Sequence, residues 1–250
     1  DDALRIPVGD GVVLSAQLAR PRAASAPLPT AMLFTIYTDP PKNRQKMLLA
    51  AAHGYAGIVV DARGKGQGSG TIAPYEHDGA DANAAIDWIS RQPWSDGRVA
   101  MYGGSYEGFT AWAAARHHHP ALKTIVPYVA AIPGQGLPME NNVFLSANYG
   151  WAFYVANGPM LDNDTYDQDE SWSQLPRRWY ASGRPYRQID QIDGTPNPWL
   201  QRWPAHPSYD AYWQAMVPYG DQFNDIRIPV LTITGYYDDG QISALQYFKE

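Results

Sequence analysis

Four short apolar runs, Ala31 to Ile36, Ile58 to Val60, Val99 to Tyr102 and Thr124 to Val126, are each bounded by turn residues, and a fifth follows at Pro229 to Thr234. Runs this short and β-rich, without polar alternation, read as strands covered on both faces, which is the habit of parallel sheets. Helical patterns separate them. Asp78 to Gln92 places Ala82, Ala85, Ile86 and Ile89 on one face, with Asp78 able to cap its start; Arg44 to His53 and Tyr106 to His117 are the other candidates. Strand and helix in alternation, joined by right-handed crossovers, predict a doubly wound, mostly parallel α/β sheet. Ahead of it, Leu4, Ile6 and Val8, then Val12, Leu14, Ala16 and Leu18, alternate weakly as antiparallel edge strands.

From about Gly134 to Tyr219 the alternation lapses into a stretch rich in Pro, Trp, Tyr and acid, which predicts a helical cap inserted in the sheet domain. The expected division is core over 1–133, cap over 134–219 and core again over 220–250. Aromatic crowding between Tyr149 and Tyr219 suits a pocket lining or lid as well as ordinary packing. The acidic run Asp162 to Glu170 fails as a calcium loop, since Asp167 stands where glycine is needed and Ser173 where the bidentate glutamate is needed; it reads as solvated loop.

Charge and composition narrow the partners. A formal charge of -6, with 19 basic residues scattered singly, leaves no footprint for nucleic acid or an anionic membrane. No apolar run approaches the roughly 18 residues of a membrane span, and Asp1 and Asp2 do not read as a leader. Without cysteine there is no disulfide, thiol catalysis or thiolate metal site; a periplasmic or secreted location is expected, with the cytoplasm as alternative.

The chemistry centres on Arg98-Val-Ala-Met-Tyr-Gly-Gly-Ser105-Tyr-Glu-Gly108, which runs from a strand through a glycine-bracketed serine into an alanine-rich helix. A sharp strand-to-helix turn presents such a hydroxyl at the edge of the sheet and aims the helix dipole at charge developing beside it. The spacing is G-x-S-x-x-G, with Glu107 where the common motif has its second glycine. A chance glycine-rich turn is the bland alternative. The later run at Ile228 to Thr234 ends in Gly235-Tyr-Tyr-Asp238-Asp239, and an acid past a strand end can orient the imidazole of a histidine. Asp238 is preferred and Asp239 competes. The order serine, acid, histidine requires the base after Asp238, yet His53, His77, His117, His118, His119 and His206 all precede it. The chain also stops at Glu250 inside an apparent helix, so truncation, processing or a second chain carrying the histidine is expected.

Oxyanion stabilisation needs two donors. The elbow supplies the Tyr106 amide, and the loop after the first parallel strand offers the Tyr37 phenol. The stretch Asp61 to Gly70 looks like a phosphate cradle but lacks both the P-loop spacing and a following helix, and reads as a mobile loop.

Taken with Asp61-Ala-Arg-Gly64, Trp94-Ser-Asp-Gly97 and His206-Pro-Ser-Tyr-Asp-Ala-Tyr-Trp213, these motifs resemble the X-prolyl dipeptidyl peptidase, cocaine esterase and α-amino acid ester hydrolase family of α/β-hydrolases. The resemblance implies that fold, with Ser105 as nucleophile, Asp238 as acid, Tyr37 and the Tyr106 amide as oxyanion hole, and the histidine and a jelly-roll domain beyond these residues. No cofactor or metal is implied. The expected activity is hydrolysis of a small ester or amide, or of a short peptide, through an acyl-enzyme; a homo-oligomer is possible. The alternatives are an X-Pro dipeptidyl aminopeptidase, for which Glu140 and Glu170 are candidate ammonium anchors, and a binding protein that kept the scaffold. Gly240 and Gln241 stand where α-amino acid ester hydrolases carry acids, which argues against that specificity.

Overall fold

In a computed structural model, which describes residues 3–250, every apolar run extends into a strand or lies along one. Asp1 and Asp2, which bore on the leader, lie outside the described residues. The strands are β1 (Leu4–Pro7), β2 (Val13–Ala19), β3 (Leu28–Thr35), β4 (Ala56–Asp61), β5 (Ser95–Gly104) and β6 (Leu122–Tyr128), in the sheet order β1-β2-β4-β3-β5-β6. The first two pair antiparallel, β2 runs antiparallel to β4, and the remaining pairs are parallel, as the sequence predicts. The run Pro229 to Thr234 continues this sheet beyond β6, through parallel bridges at Val230 and Ile233. Its outer side is uncovered, with Leu231 57% and Ile233 48% exposed, so the expectation of burial on both faces fails there.

Helix α1 (Pro40–Ala52) starts with Asp39 accepting from the Lys42 amide and proline at its first position, a combination that satisfies one free N–H and removes another. Helix α2 (Asp78–Ser90) does not use Asp78 as its cap. His77 holds that position, and Asp78 is the first helical residue, its side chain turned into the core. Helix α3 (Tyr106–Ala115) is buried along its whole length, which explains its alanine content: small side chains let it lie close to the sheet.

The lapse in alternation is filled by a short hairpin, β7 (Met139–Glu140) and β8 (Val143–Phe144), and by helices α4 (Ala147–Ala156), α5 (Asn163–Tyr166), α6 (Asp169–Ser182), α7 (Ile189–Asp193), α8 (Pro198–Arg202) and α9 (Ala211–Gln214). Asp162 to Glu170 is therefore not a loop: Asp162 caps α5 by accepting from the Thr165 amide, and α6 begins at Asp169. The acids favour the first turns of helices for the same electrostatic reason that made them look solvated. Trp203 and Trp213 of this stretch are fully buried in one cluster with the sheet residues. Each removes ~200 Å² from water, worth about 5 kcal/mol before entropy. The last helix is α10 (Gln241–Lys249). Among the described residues no helix is long and apolar enough to cross a membrane.

The glycine-rich stretch 61–70, expected to be mobile, is a clamp. Lys65 is fully buried, and its Nζ donates to the carbonyls of Val155 and Gly158 at 2.8 Å and of Met160 at 3.1 Å, at the C-terminal end of α4. The Gly66 amide donates to Pro159, and Arg63 holds Asp81 through two bonds of 2.6 and 2.7 Å. Lysine charge and loop amides that suggested a phosphate cradle are thus occupied by the chain's own carbonyls and carboxylates.

Candidate active site

Ser105 occupies φ 54, ψ -117, a region that costs an L residue of order 1–3 kcal/mol and persists only where its surroundings enforce it. They do so from three sides. The Ser105 amide donates to the Tyr128 carbonyl at 3.1 Å, and the Ser105 carbonyl accepts from the amides of Phe109 at 3.0 Å and Ala131 at 3.2 Å. The flanking glycines follow from contact. A Cβ at Gly104 would fall 2.2 Å from the Tyr128 ring, and one at Gly108 would fall 2.8 Å from the Ala130 Cβ. Position 108 needs glycine because α3 crosses the strand-end loop there, which accounts for the shifted motif.

At position 107 a side chain fits because Gly103 makes room for it: a Cβ at Gly103 would fall 2.3 Å from the Glu107 Cβ. Glu107 is 4% exposed; it accepts from Thr35 Oγ1 at 2.9 Å and from Lys46 Nζ at 2.8 Å, tying the elbow to β3 and α1. Sequence reasoning registered Glu107 only as a departure from the motif. A buried carboxylate needs such partners, and a lysine on the helix after the Tyr37 loop was the available signal.

Tyr37 is brought beside Ser105, whose hydroxyl lies near enough to favour the ionised phenol, against the larger opposing effect of burial. Its loop is fixed by the Tyr37 amide donating to Thr35 Oγ1 at 2.9 Å, by Asn43 Nδ2 donating to the Tyr37 carbonyl at 3.1 Å, and by Thr38 Oγ1 donating to Asp61 at 3.2 Å. Asp61 also accepts from Ser15 Oγ at 2.5 Å, so the first acid of the Asp61-Ala-Arg-Gly64 motif supports the neighbour of Tyr37. Burial pushes the Tyr37 phenol up to about 12, which keeps it a neutral donor at any physiological pH. The Tyr37 oxygen accepts from Trp151 Nε1 at 3.2 Å, a contact the sequence did not reveal.

Tyr106, the first residue of α3, has an amide with no partner within its own helix, the usual state of a first-turn N–H. Its phenol donates to Asp78 Oδ2 at 2.8 Å and accepts from the Tyr75 amide at 2.9 Å. Burial pushes Asp78 up to about 7, with Asp81 adding repulsion, while the other oxygen, Oδ1, is buried without a partner among the described residues.

The run that leads to Asp238 ends at the same sheet edge as the elbow. The Val129 amide donates to the Ile233 carbonyl at 2.8 Å, one residue from the Tyr128 carbonyl that receives the Ser105 amide. Asp238 is exposed, and its Oδ1 accepts from the Gly240 amide at 2.7 Å; Asp239 beside it is also exposed. Gln241 Nε2 donates to the Tyr236 carbonyl at 2.7 Å and closes this loop. Among the described residues none of the six histidines hydrogen-bonds Ser105 or Asp238, although His77 lines a small cavity with Tyr106. His117, His118 and His119 follow the far end of α3, His53 follows α1, exposed His77 precedes α2, and His206 Nδ1 pairs with Asp210 at 2.8 Å in its own motif. Of the candidate ammonium anchors, Glu140 sits in the β7–β8 hairpin and Glu170 is exposed on the first turn of α6.

Comparison with known proteins agrees with this architecture. The profile of the X-Pro dipeptidyl-peptidase (S15 family) matches residues 10–250. Cocaine esterase of Rhodococcus sp. (strain MB1 Bresler) is 29% identical over 259 residues, which cover 97% of this chain and 45% of the esterase. Among solved structures, an aminopeptidase from a marine sediment Thaumarchaeota archaeon superposes with a TM-score of 0.72 at 22% identity, covering 99% of this chain and 45% of its own. An α-amino acid ester hydrolase gives 0.73 at 21% identity, covering 98% and 45%. The chain thus spans less than half the length of these relatives, and the two structural likenesses establish the fold.

Proposed function

The chain belongs to the X-Pro dipeptidyl-peptidase (S15) family of hydrolases, and from that premise we propose that it cleaves an ester or amide acyl bond through a covalent intermediate on Ser105. The observation that carries this reading is Ser105 itself, held at φ 54 on the sheet edge with the Tyr37 phenol beside it. Ser105 Oγ attacks the acyl carbonyl carbon while a histidine takes its proton. Tyr37 O–H and the Tyr106 amide hold the oxyanion, and Asp238 orients the imidazole. The histidine then protonates the leaving group, and water releases the acyl group by the reverse sequence.

All six histidines precede Asp238, and among the described residues none hydrogen-bonds Ser105 or Asp238, so the proposed base is a histidine that follows Asp238 beyond Glu250. The uncovered side of Pro229 to Thr234, with Leu231 and Ile233 exposed, is where further strands would pair. Half-buried Trp151 next to Tyr37 suits an apolar or aromatic acyl group. An ester is favoured over an X-Pro peptide, because the relative matched over 97% of this chain is an esterase. Fluorophosphonate labelling of the full-length protein tests this: the wild type labels and Ser105→Ala does not. Equal labelling of both removes Ser105 from the mechanism. Faster hydrolysis of an X-Pro anilide than of an aryl ester would transfer the assignment to the peptidase reading.

A further inference from the structure

An oxyanion-hole phenol works only if its hydrogen points at the place where charge appears. A phenolic oxygen accepts about as readily as it donates, and in a site where Ser105 Oγ can also donate, the hydrogen of Tyr37 has two directions open to it. The indole N–H of Trp151 removes one of them. It is a donor only, it lies 3.2 Å from the Tyr37 oxygen, and it therefore occupies a lone pair and leaves the phenolic hydrogen for the Ser105 side. Trp151 is itself held by rings on several sides: it stacks on Tyr75 at 5.7 Å and 27°, and lies 5.9 Å from Tyr106 and 6.2 Å from Trp203. It thus touches the side chains of both residues proposed to bind the oxyanion.

We infer that Trp151 is a positioning residue for acyl transfer, its N–H setting the direction in which Tyr37 donates, so that the oxyanion hole is complete only when α4 is seated on the sheet domain. This rests on the reading of Ser105 as nucleophile. The connection continues through the clamp, since Lys65 binds carbonyls at the C-terminal end of that same helix. Helix α4 is therefore joined to the core at its C-terminal end by Lys65, which holds it, and at Trp151, which uses it.

The test is a cycle on the full-length protein with p-nitrophenyl acetate, whose acyl group is too small to need an aromatic pocket. Trp151→Phe removes the N–H; incorporation of 3-benzothienylalanine at position 151 removes it while keeping the ring area, and so guards against a packing or folding defect. Loss of a whole oxyanion donor typically costs about 100-fold or more in kcat, and misdirecting one is expected to cost about tenfold. Both changes at 151 should lower kcat about tenfold with KM little altered, and should have less than about a twofold effect in a Tyr37→Phe background, where there is no phenol left to direct. The same fold-loss in both backgrounds, or full kcat with benzothienylalanine, overturns the assignment. Ser105→Ala separates the two layers: if it retains turnover the premise itself fails, whereas an inactive Ser105→Ala together with additive effects removes Trp151 alone.

Discussion

Replacing Lys65 by methionine removes a donor that three carbonyl oxygens of the insertion share, those of Val155, Gly158 and Met160. Methionine has a stem of similar length and donates nothing. A buried carbonyl left without a partner costs about 1–3 kcal/mol; the Val155 bond is buried and the other two are part-buried, so the gross loss is roughly 5 kcal/mol. Methionine also escapes the desolvation of an ammonium. Burial lowers Lys65 from 10.5 to about 8, with Asp61 opposing the fall, which corresponds to roughly 3 kcal/mol. The net expectation is destabilisation by about 2 kcal/mol at pH 7, read from urea midpoints by tryptophan fluorescence. Linkage gives a second signature. Because the folded value lies below the unfolded one, the unfolded chain holds a proton between about 8 and 10.5 that the folded chain has released. This contribution to stability is complete above 10.5 and is lost as pH falls through about 8, so the gap between wild type and variant should widen as pH rises across that window. A variant within about 0.5 kcal/mol of wild type at pH 7, with a gap that does not move with pH, would refute the clamp.

Three further outcomes are expected. Asp78 is pushed up to about 7, so its folded state binds a proton the unfolded state lacks and stability falls as pH rises from about 4 to 7; Asp78→Asn should flatten that slope in thermal melts and be more stable than wild type above pH 7. Gly108→Ala sets a methyl 2.8 Å from Ala130 Cβ and should cost about 2 kcal/mol in urea unfolding, together with a drop in esterase activity as the elbow shifts. Tyr37→Phe should lower kcat about 100-fold on an aryl ester and, by leaving the part-buried Trp151 N–H without its acceptor, cost about 1 kcal/mol in urea unfolding.

Much of the sheet and the elbow was legible because their signals are local. A run such as Ile58 to Val60 declares burial on both faces by its own composition, and the strand, glycines and alanine helix around Ser105 lie within about twenty consecutive residues. What stayed hidden depends on distant segments meeting. Trp151 reaches Tyr37 across 114 positions and Lys65 reaches Val155 across 90, and neither pairing leaves a trace in spacing. The stretch 61–70 was misread for a related reason: its glycines signal backbone freedom, but the lysine among them decides whether that freedom survives folding. Asp162 to Glu170 looked solvated because acidic composition is shared by loops and helix first turns. Asp78 was assigned to a cap on position alone, while Tyr106 from another helix supplied a better partner.

The central claim, acyl transfer through Ser105, is tested most directly by mass spectrometry of the full-length protein quenched in acid during turnover of an aryl ester. The account predicts a fragment carrying Ser105 heavier by one acyl group, absent in Ser105→Ala, with one equivalent of phenol released ahead of the steady rate. Steady turnover with that fragment unmodified, or an acyl group on another residue, would contradict it.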